Sequence, residues 1–170
     1  LNFDGTSGVH PLNLNANISI VYSAVIYVLR LLCPKDLPLN EGLMQRVNIH
    51  LPVSFLHPDF VDTPGACPAV VGGNTEVSQR LADTLLKAFE LAACSQGTMN
   101  NFLFGDDQFG YYETIGGGAG AGPDFHGRSA VHQHMTNTRI TDPEDLEFRY
   151  PARLVRFAIR ANSGGDGQFR

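Results

Sequence analysis

The sequence predicts an α+β fold: a mixed, mainly antiparallel sheet with two long core helices. Three observations predict it. Two stretches, residues 15–32 and 74–94, repeat apolar side chains at helical spacing. Several short segments alternate apolar and polar residues at a period of two, as strands with one wet face do. The two kinds of segment do not follow one another in a regular strand–helix–strand rhythm, which argues against a doubly wound parallel sheet. With 170 residues, 43% hydrophobic and 17% charged, the chain has enough apolar material for one domain with a real core.

The elements follow in order. In "NANISIVYSAVIYVLRLL", Ile18, Val21, Tyr22, Val25, Ile26, Leu29 and Leu32 cover most of the circumference, so a core helix is expected. Asn15 or Asn17 can cap it, and Pro34 ends it. "RVNIHLPVSFL" alternates Val47, Ile49 and Leu51 with Asn48 and His50, a strand pattern. In "NTEVSQRLADTLLKAFELAAC", Val77, Leu81, Leu85, Ala88 and Phe89 line one face of a long helix with Asn74 or Thr75 as N-cap. "MNNFLFG" and "YYETI" read as a hairpin around the acidic turn Asp106-Asp107. "SAVHQHMTNTRI" and "ARLVRFAIRA" read as further strands. Pro143, after Thr141-Asp142, opens a short helix.

Composition excludes several functions. Twelve Lys plus Arg against 17 Asp plus Glu leave a net charge of -5, and no basic run offers a phosphate backbone a footprint. The longest apolar stretch, Ile18 to Leu32, is too broken by Ser19, Tyr22, Ser23 and Arg30 to span a bilayer. "LNFDGTSG" lacks the basic start of a signal peptide. Cys33, Cys67 and Cys94 are odd in number and far apart, so free thiols in a reducing cytoplasm are expected rather than a disulfide framework. The start at Leu1 and the finish in "NSGGDGQFR" read as the cut ends of a piece of a longer polypeptide, here taken as a single domain over residues 1–170.

The segment "YYETIGGGAGAGPDFHGRSAVHQHMTNTR" concentrates the candidate chemistry. Gly116 to Gly122 supply bare backbone, but no Lys-Ser/Thr follows and Pro123-Asp124 stands where a nucleotide-binding helix would start, so neither a P-loop nor a dinucleotide fingerprint is supported. A glycine run is best explained where Cβ atoms would collide with something. That something is a substrate or another subunit, and a tight, close-packed structural turn is the plainer alternative. On a strand, His132, His134, Thr136 and Thr138 would share a face. Two such histidines, with His126, could ligate a metal, or one could act as a general base; a polar strand face bonded to its neighbours is the plainer alternative. His134 is favoured as a catalytic candidate, with Glu113 beside the glycine run as a second acid or base. Glu113 could equally pair with Arg128 or Arg139. Gly116, Gly117, Gly118, Asn137 and Arg139 are the candidate substrate contacts, Arg139 because its guanidinium can clamp a carboxylate or phosphate.

Taken together, "GNTEVSQRLADTLLKAF", "SQGTMNNFLFG", "YYETIGGGAGAGPDFHGRSAVHQHMTNTRITDPEDLEFRYP" and "SGGDGQFR" strongly resemble the hydantoinase B/oxoprolinase family, and "LNFDGTS" with "NANISIVYSAVIYVLRLLCPKDLPLNEG" fits it upstream. The resemblance runs end to end and implies an internal-to-C-terminal portion of a B unit. It further implies a partner, an A-type unit resembling actin-like ATPases, with ATP and a divalent metal in the whole enzyme and the ATP site on that partner. The implied reaction is ATP-dependent opening of a cyclic amide such as 5-oxoproline or a hydantoin, in an oligomeric cytoplasmic enzyme. Phosphorylating a lactam oxygen turns a poor electrophile into a good one, so the site would have to hold a phosphorylated oxygen anion. The same pair of units implies two alternatives: a ketone (acetone or acetophenone type) carboxylase, or a noncatalytic module that assembles the A unit. The resemblance assigns no metal ligand to His132 or His134.

Overall fold

The computed structural model describes residues 1–163; residues 164–170, which hold most of the Gly-rich end, lie outside the described residues. Three α-helices and two small antiparallel sheets make up a mixed α+β architecture. Helix α1 is Ile18–Leu31, with Asn17 as its N-cap accepting from the Ser19 N–H at 3.0 Å. Helix α2 is Ser78–Ala88, entered through a π turn over Gly73–Val77. Strands β1 (Asn101–Gly105) and β2 (Gly110–Thr114) form a hairpin in which Asn101 pairs with Thr114 and Gly105 with Gly110. Asp106 closes its turn by accepting from the Gln108 and Phe109 N–H groups. Strands β3 (Gly118–Ala119) and β4 (Arg128–Ser129) form the second, smaller sheet. Helix α3, Pro143–Arg149, starts at Pro143 with Asp142 as its cap.

The core is the α1–α2 interface. Val21, Ala24, Val25 and Val28 of α1 share one buried cluster with Val77, Leu81, Leu85 and Leu86 of the α2 region, and Ala16, Met44 and Leu56 belong to it too. Full burial of each such side chain contributes roughly 1.5–3 kcal/mol, so this stripe is the main source of cohesion. The helices approach at their N-terminal ends over bare backbone. A Cβ on Gly73 would collide with the Asn15 carbonyl and sit 2.7 Å from the Ala16 Cα, and the Gly72 N–H donates to the Asn13 carbonyl at 2.7 Å. Asn15 does not cap α1. Its fully buried amide braces the crossing, accepting from the His10 N–H and facing the carbonyls of His10, Leu12 and Ala69.

The structure departs from the sequence expectations at several points. Helix α2 stops at Ala88 instead of running to Cys94, because Glu90 takes a left-handed φ of 56°. The Glu90 N–H then donates to Lys87 and the Leu91 N–H to Leu86, a Schellman stop built without glycine. At its start, neither Asn74 nor Thr75 caps the helix; both lie inside the π turn. The segment "RVNIHLPVSFL" forms only isolated bridges, Asn2 with His50 and Ser54 with His57, and Pro52 removes a ladder donor from its middle. "SAVHQHMTNTRI" is a strand only at Ser129, since Ala130 (φ 55°) and His134 (φ 52°) turn the chain out of the extended region. "ARLVRFAIRA" has the alternation of a strand but no partner among the described residues, and Val155 stands 90% exposed. Alternation makes an edge available; it does not supply the second strand.

If the Gly72–Gly73 crossing sets the interhelical distance, Gly73→Ala destabilises the chain by more than about 2 kcal/mol through overpacking. Gly110→Ala, whose Cβ would meet nothing within 4 Å, changes stability by less than about 0.5 kcal/mol. Urea midpoints of the two variants check this, and equal midpoints would refute it.

Candidate active site

Helix α2 is buried over roughly two-thirds of its circumference at 100° per residue, more than the single stripe of a surface helix. One side is the apolar face against α1. The other carries Gln79 and Asp83, one turn apart and both buried. Buried amides and carboxylates need partners, and a polar layer supplies them.

Asp83 accepts three kinds of donor. The Ser95 N–H and hydroxyl both lie 2.9 Å from its oxygens, and His134 Nε2 lies 3.0 Å from Oδ1. The pair is deeply placed: the His134 side chain is 9% exposed and that of Asp83 6%. Burial pushes the Asp83 carboxyl up, but the hydrogen bonds from His134 and Ser95 outweigh it and hold the group below the usual carboxylate range. An ionised carboxylate only accepts, so Nε2 carries the hydrogen. Nδ1 then meets the Tyr27 hydroxyl of α1 at 3.1 Å, with the two rings edge to face at 5.7 Å. Burial raises Tyr27 above the ordinary phenol range, with a bond from the His134 backbone pulling the other way and the Asp83 charge adding to the rise.

The turn that presents His134 is itself clamped. The Gln133 carbonyl accepts from the Thr136 N–H and hydroxyl. Gln79 accepts from the Met135 N–H at 2.8 Å and donates to the Gln133 carbonyl at 3.4 Å, while the Gln133 side chain donates to Gln96 at 3.0 Å. His134 thus keeps a left-handed backbone because its surroundings over-determine it, the kind of strain found where geometry serves a function.

The other candidate residues fall in separate places. Glu113 accepts from the Tyr111 hydroxyl at 2.6 Å and from the Thr141 N–H, and pairs with neither Arg128 nor Arg139. It ties the segment before α3 to the hairpin, where Tyr111 also packs on Tyr150 at 5.1 Å. Burial and the bond to Glu113 raise the Tyr111 phenol. Glu113 and His134 share no hydrogen-bond partner. The faces of Gly116, Gly117 and Gly118 are filled by this chain: a Cβ would lie 3.1 Å from the Val131 backbone, 2.5 Å from Asn100 and Gln96, and 2.7 Å from the Arg128 carbonyl, respectively. Asn137 and Arg139 are exposed just beyond the clamped turn, and the arginine ion pairs among the described residues belong to Arg80 and Arg149. His126 is exposed, and the buried Nδ1 of His132 has no partner among the described residues. Among those residues no three His, Cys, Asp or Glu side chains converge to hold a metal ion. An open pocket of about 400 Å³ lies at the C-terminal end of α1, lined by Tyr27, Arg30, Cys33, Lys35, Asp36 and Leu37 among others.

Sequence reasoning missed Tyr27, Gln79 and Asp83. Tyr27 sits in an apolar helix and reads as core. Asp83 has Lys87 at i+4, which offers an ordinary surface pair. The usable signal was a carboxylate and an amide at i and i+4 beside the buried stripe.

The chain belongs to the hydantoinase B/oxoprolinase family, whose pattern matches residues 1–170. It is 55% identical over 166 residues to 5-oxoprolinase 1 of Arabidopsis thaliana, covering 97% of this chain and 13% of that protein. It is 52% identical over 159 residues to 5-oxoprolinase of Dictyostelium discoideum, covering 93% of this chain and 12% of that protein. The B-type subunit of a putative D-/L-hydantoinase from Pseudomonas sp. is 28% identical over 145 residues, covering 79% of this chain and 23% of that protein. The chain therefore spans about an eighth of the length of the 5-oxoprolinases it matches. No solved structure matches it. No helix among the described residues is long and apolar enough to cross a membrane.

Asp83 favours the folded state as a carboxylate. Its stabilising contribution is complete above the ordinary Asp value near pH ~4 and is lost as pH falls through its lower folded value. Asp83→Asn removes that loss, so its urea midpoint falls less steeply than the wild type's as the pH drops below about 4. Parallel curves would show that Asp83 is not the group responsible.

Proposed function

We propose that the chain is part of the B unit of an ATP-dependent cyclic-amide hydrolase that opens 5-oxoproline or a hydantoin. The observation that carries this reading is the 55% identity to a protein named 5-oxoprolinase over 97% of the chain. In this reading ATP and its divalent metal ion sit on an A-type unit or domain, and the two units form an oligomer in the cytoplasm. This chain contributes one wall of the site around the phosphorylated or tetrahedral carbonyl. His134, backed by Asp83, is the proton-handling group; Asn137 and Arg139, exposed one turn on, are positioned to meet substrate. The glycine run supports the wall by letting residues 128–131 and the 93–100 segment pack onto bare backbone. Glu113 holds the segment that carries these contacts and serves as a second candidate acid or base.

Turnover of 5-oxoproline, hydantoin and acetone by the intact A–B protein, with ATP and with or without bicarbonate, separates this reading from the ketone carboxylase. Bicarbonate-dependent ATP use with acetone alone would reject it. His134→Ala is expected to lower kcat by about 10²–10⁴-fold, the span of general acid–base catalysis. Normal assembly with unchanged turnover in both His134→Ala and Glu113→Ala would instead establish a noncatalytic assembly module. The isolated 170-residue chain is expected to show no ATPase activity.

A further inference from the structure

The two ring nitrogens of His134 are both committed. Nε2 faces Asp83 at 3.0 Å and Nδ1 faces the Tyr27 hydroxyl at 3.1 Å. With its side chain 9% exposed, the ring has no free nitrogen to offer a substrate. A phenol oxygen differs: it donates one hydrogen and accepts through two lone pairs, so donation to Nδ1 leaves it able to accept from a ligand. Tyr27 is also the member of the network that lines the open pocket of about 400 Å³ at the C-terminal end of α1, beside the cationic Arg30 and Lys35.

We infer that Tyr27 is the catalytic group through which the buried Asp83–His134 pair exchanges protons with a ligand, and that the α1 pocket takes a small carbonyl compound carrying a carboxylate. This rests on, and deepens, the hydrolase reading. The proton path is that of a nucleophile–His–Asp relay with water in the attacking role. As the water oxygen bonds to the carbonyl carbon, its proton moves to the Tyr27 oxygen, and the Tyr27 hydrogen moves to Nδ1. Asp83 stabilises the resulting imidazolium. When the C–N bond breaks, its electron pair stays on nitrogen. The imidazolium then returns its proton to Tyr27, and Tyr27 passes one to that nitrogen. One water is consumed in this step and the relay ends as it began; in the ATP-dependent reading the phosphoryl group on the carbonyl oxygen leaves as inorganic phosphate in a separate hydrolysis with a second water. Arg30 and Lys35 face the substrate carboxylate, Asp36 and Cys33 complete the charged and titratable surroundings of Tyr27 on the pocket side, and His134 and Asp83 do so on the buried side.

The test is steady-state kinetics of the intact protein with the carbonyl substrate it consumes among 5-oxoproline, hydantoin and acetone. Tyr27→Phe keeps the ring and its edge-to-face contact. It is expected to lower kcat about 100-fold, to move KM less than threefold and to flatten the acid limb of the kcat–pH profile. Lys35→Met is expected to raise KM for 5-oxoproline about 10-fold, as loss of a charge-assisted contact does, with kcat within twofold. A Tyr27→Phe protein with kcat within threefold of wild type, or one whose kcat loss comes with a lowered melting midpoint and an unaltered pH profile, overturns the relay. An unchanged KM in Lys35→Met overturns the pocket assignment. Consumption of acetone but not of 5-oxoproline or hydantoin rejects the hydrolase reading and the relay with it, whereas an unaffected Tyr27→Phe protein on 5-oxoproline overturns the relay alone. If the wild type consumes none of the three, the relay falls too.

Discussion

A carboxylate buried on the wall of a helix is the constraint from which the rest of this structure follows. Asp83 lies where water cannot solvate it, and an ion left there without partners is heavily penalised. It is made tolerable by donors from two segments distant in sequence, Ser95 and His134. Meeting that demand pins the 94–98 segment to one side of α2 and the 133–136 turn beside it. Gln79, one turn earlier on the same face, holds the same turn by its backbone. The polar layer therefore does for the C-terminal half of the chain what the apolar stripe does for the α1–α2 pair.

The glycine run follows from this arrangement. Once residues 93–100 and 128–134 are drawn to α2, the chain between them must pass through a gap with no room for side chains. Gly117 lies against Gln96 and Asn100, and Gly120 against the Ala93 carbonyl, while the Ala93 N–H donates to the Ala121 carbonyl. The bare backbone is approached mainly by the chain itself. The run lets the His134 turn sit where it does.

Much of the local structure was legible. Asn17, Pro143 and the Asp106-Asp107 turn act through bonds spanning two to four residues, and such signals survive in a linear reading. His134 was legible as a candidate because its neighbourhood is dense in polar residues. Its partners were not, since Tyr27 lies 107 residues away and Asp83 51. The strands expected around His132 and over "ARLVRFAIRA" failed for related reasons. Alternation states which faces a strand would have, but a ladder needs a neighbour, and left-handed turns at Ala130 and His134 arise from contacts made elsewhere.

By itself the sequence determined the two helices, the hairpin, the α+β class and the family, because propensity, capping and periodicity are local and the family motifs are long and ordered. Only the tertiary structure decided that His134 is a buried, doubly bonded imidazole joined to Tyr27 and Asp83. It also decided that the glycines accommodate the chain's own backbone. Both facts depend on which distant segments meet, and that is settled by the joint requirement to bury the apolar stripe and to give Asp83 and Gln79, buried beside it, their hydrogen-bond partners.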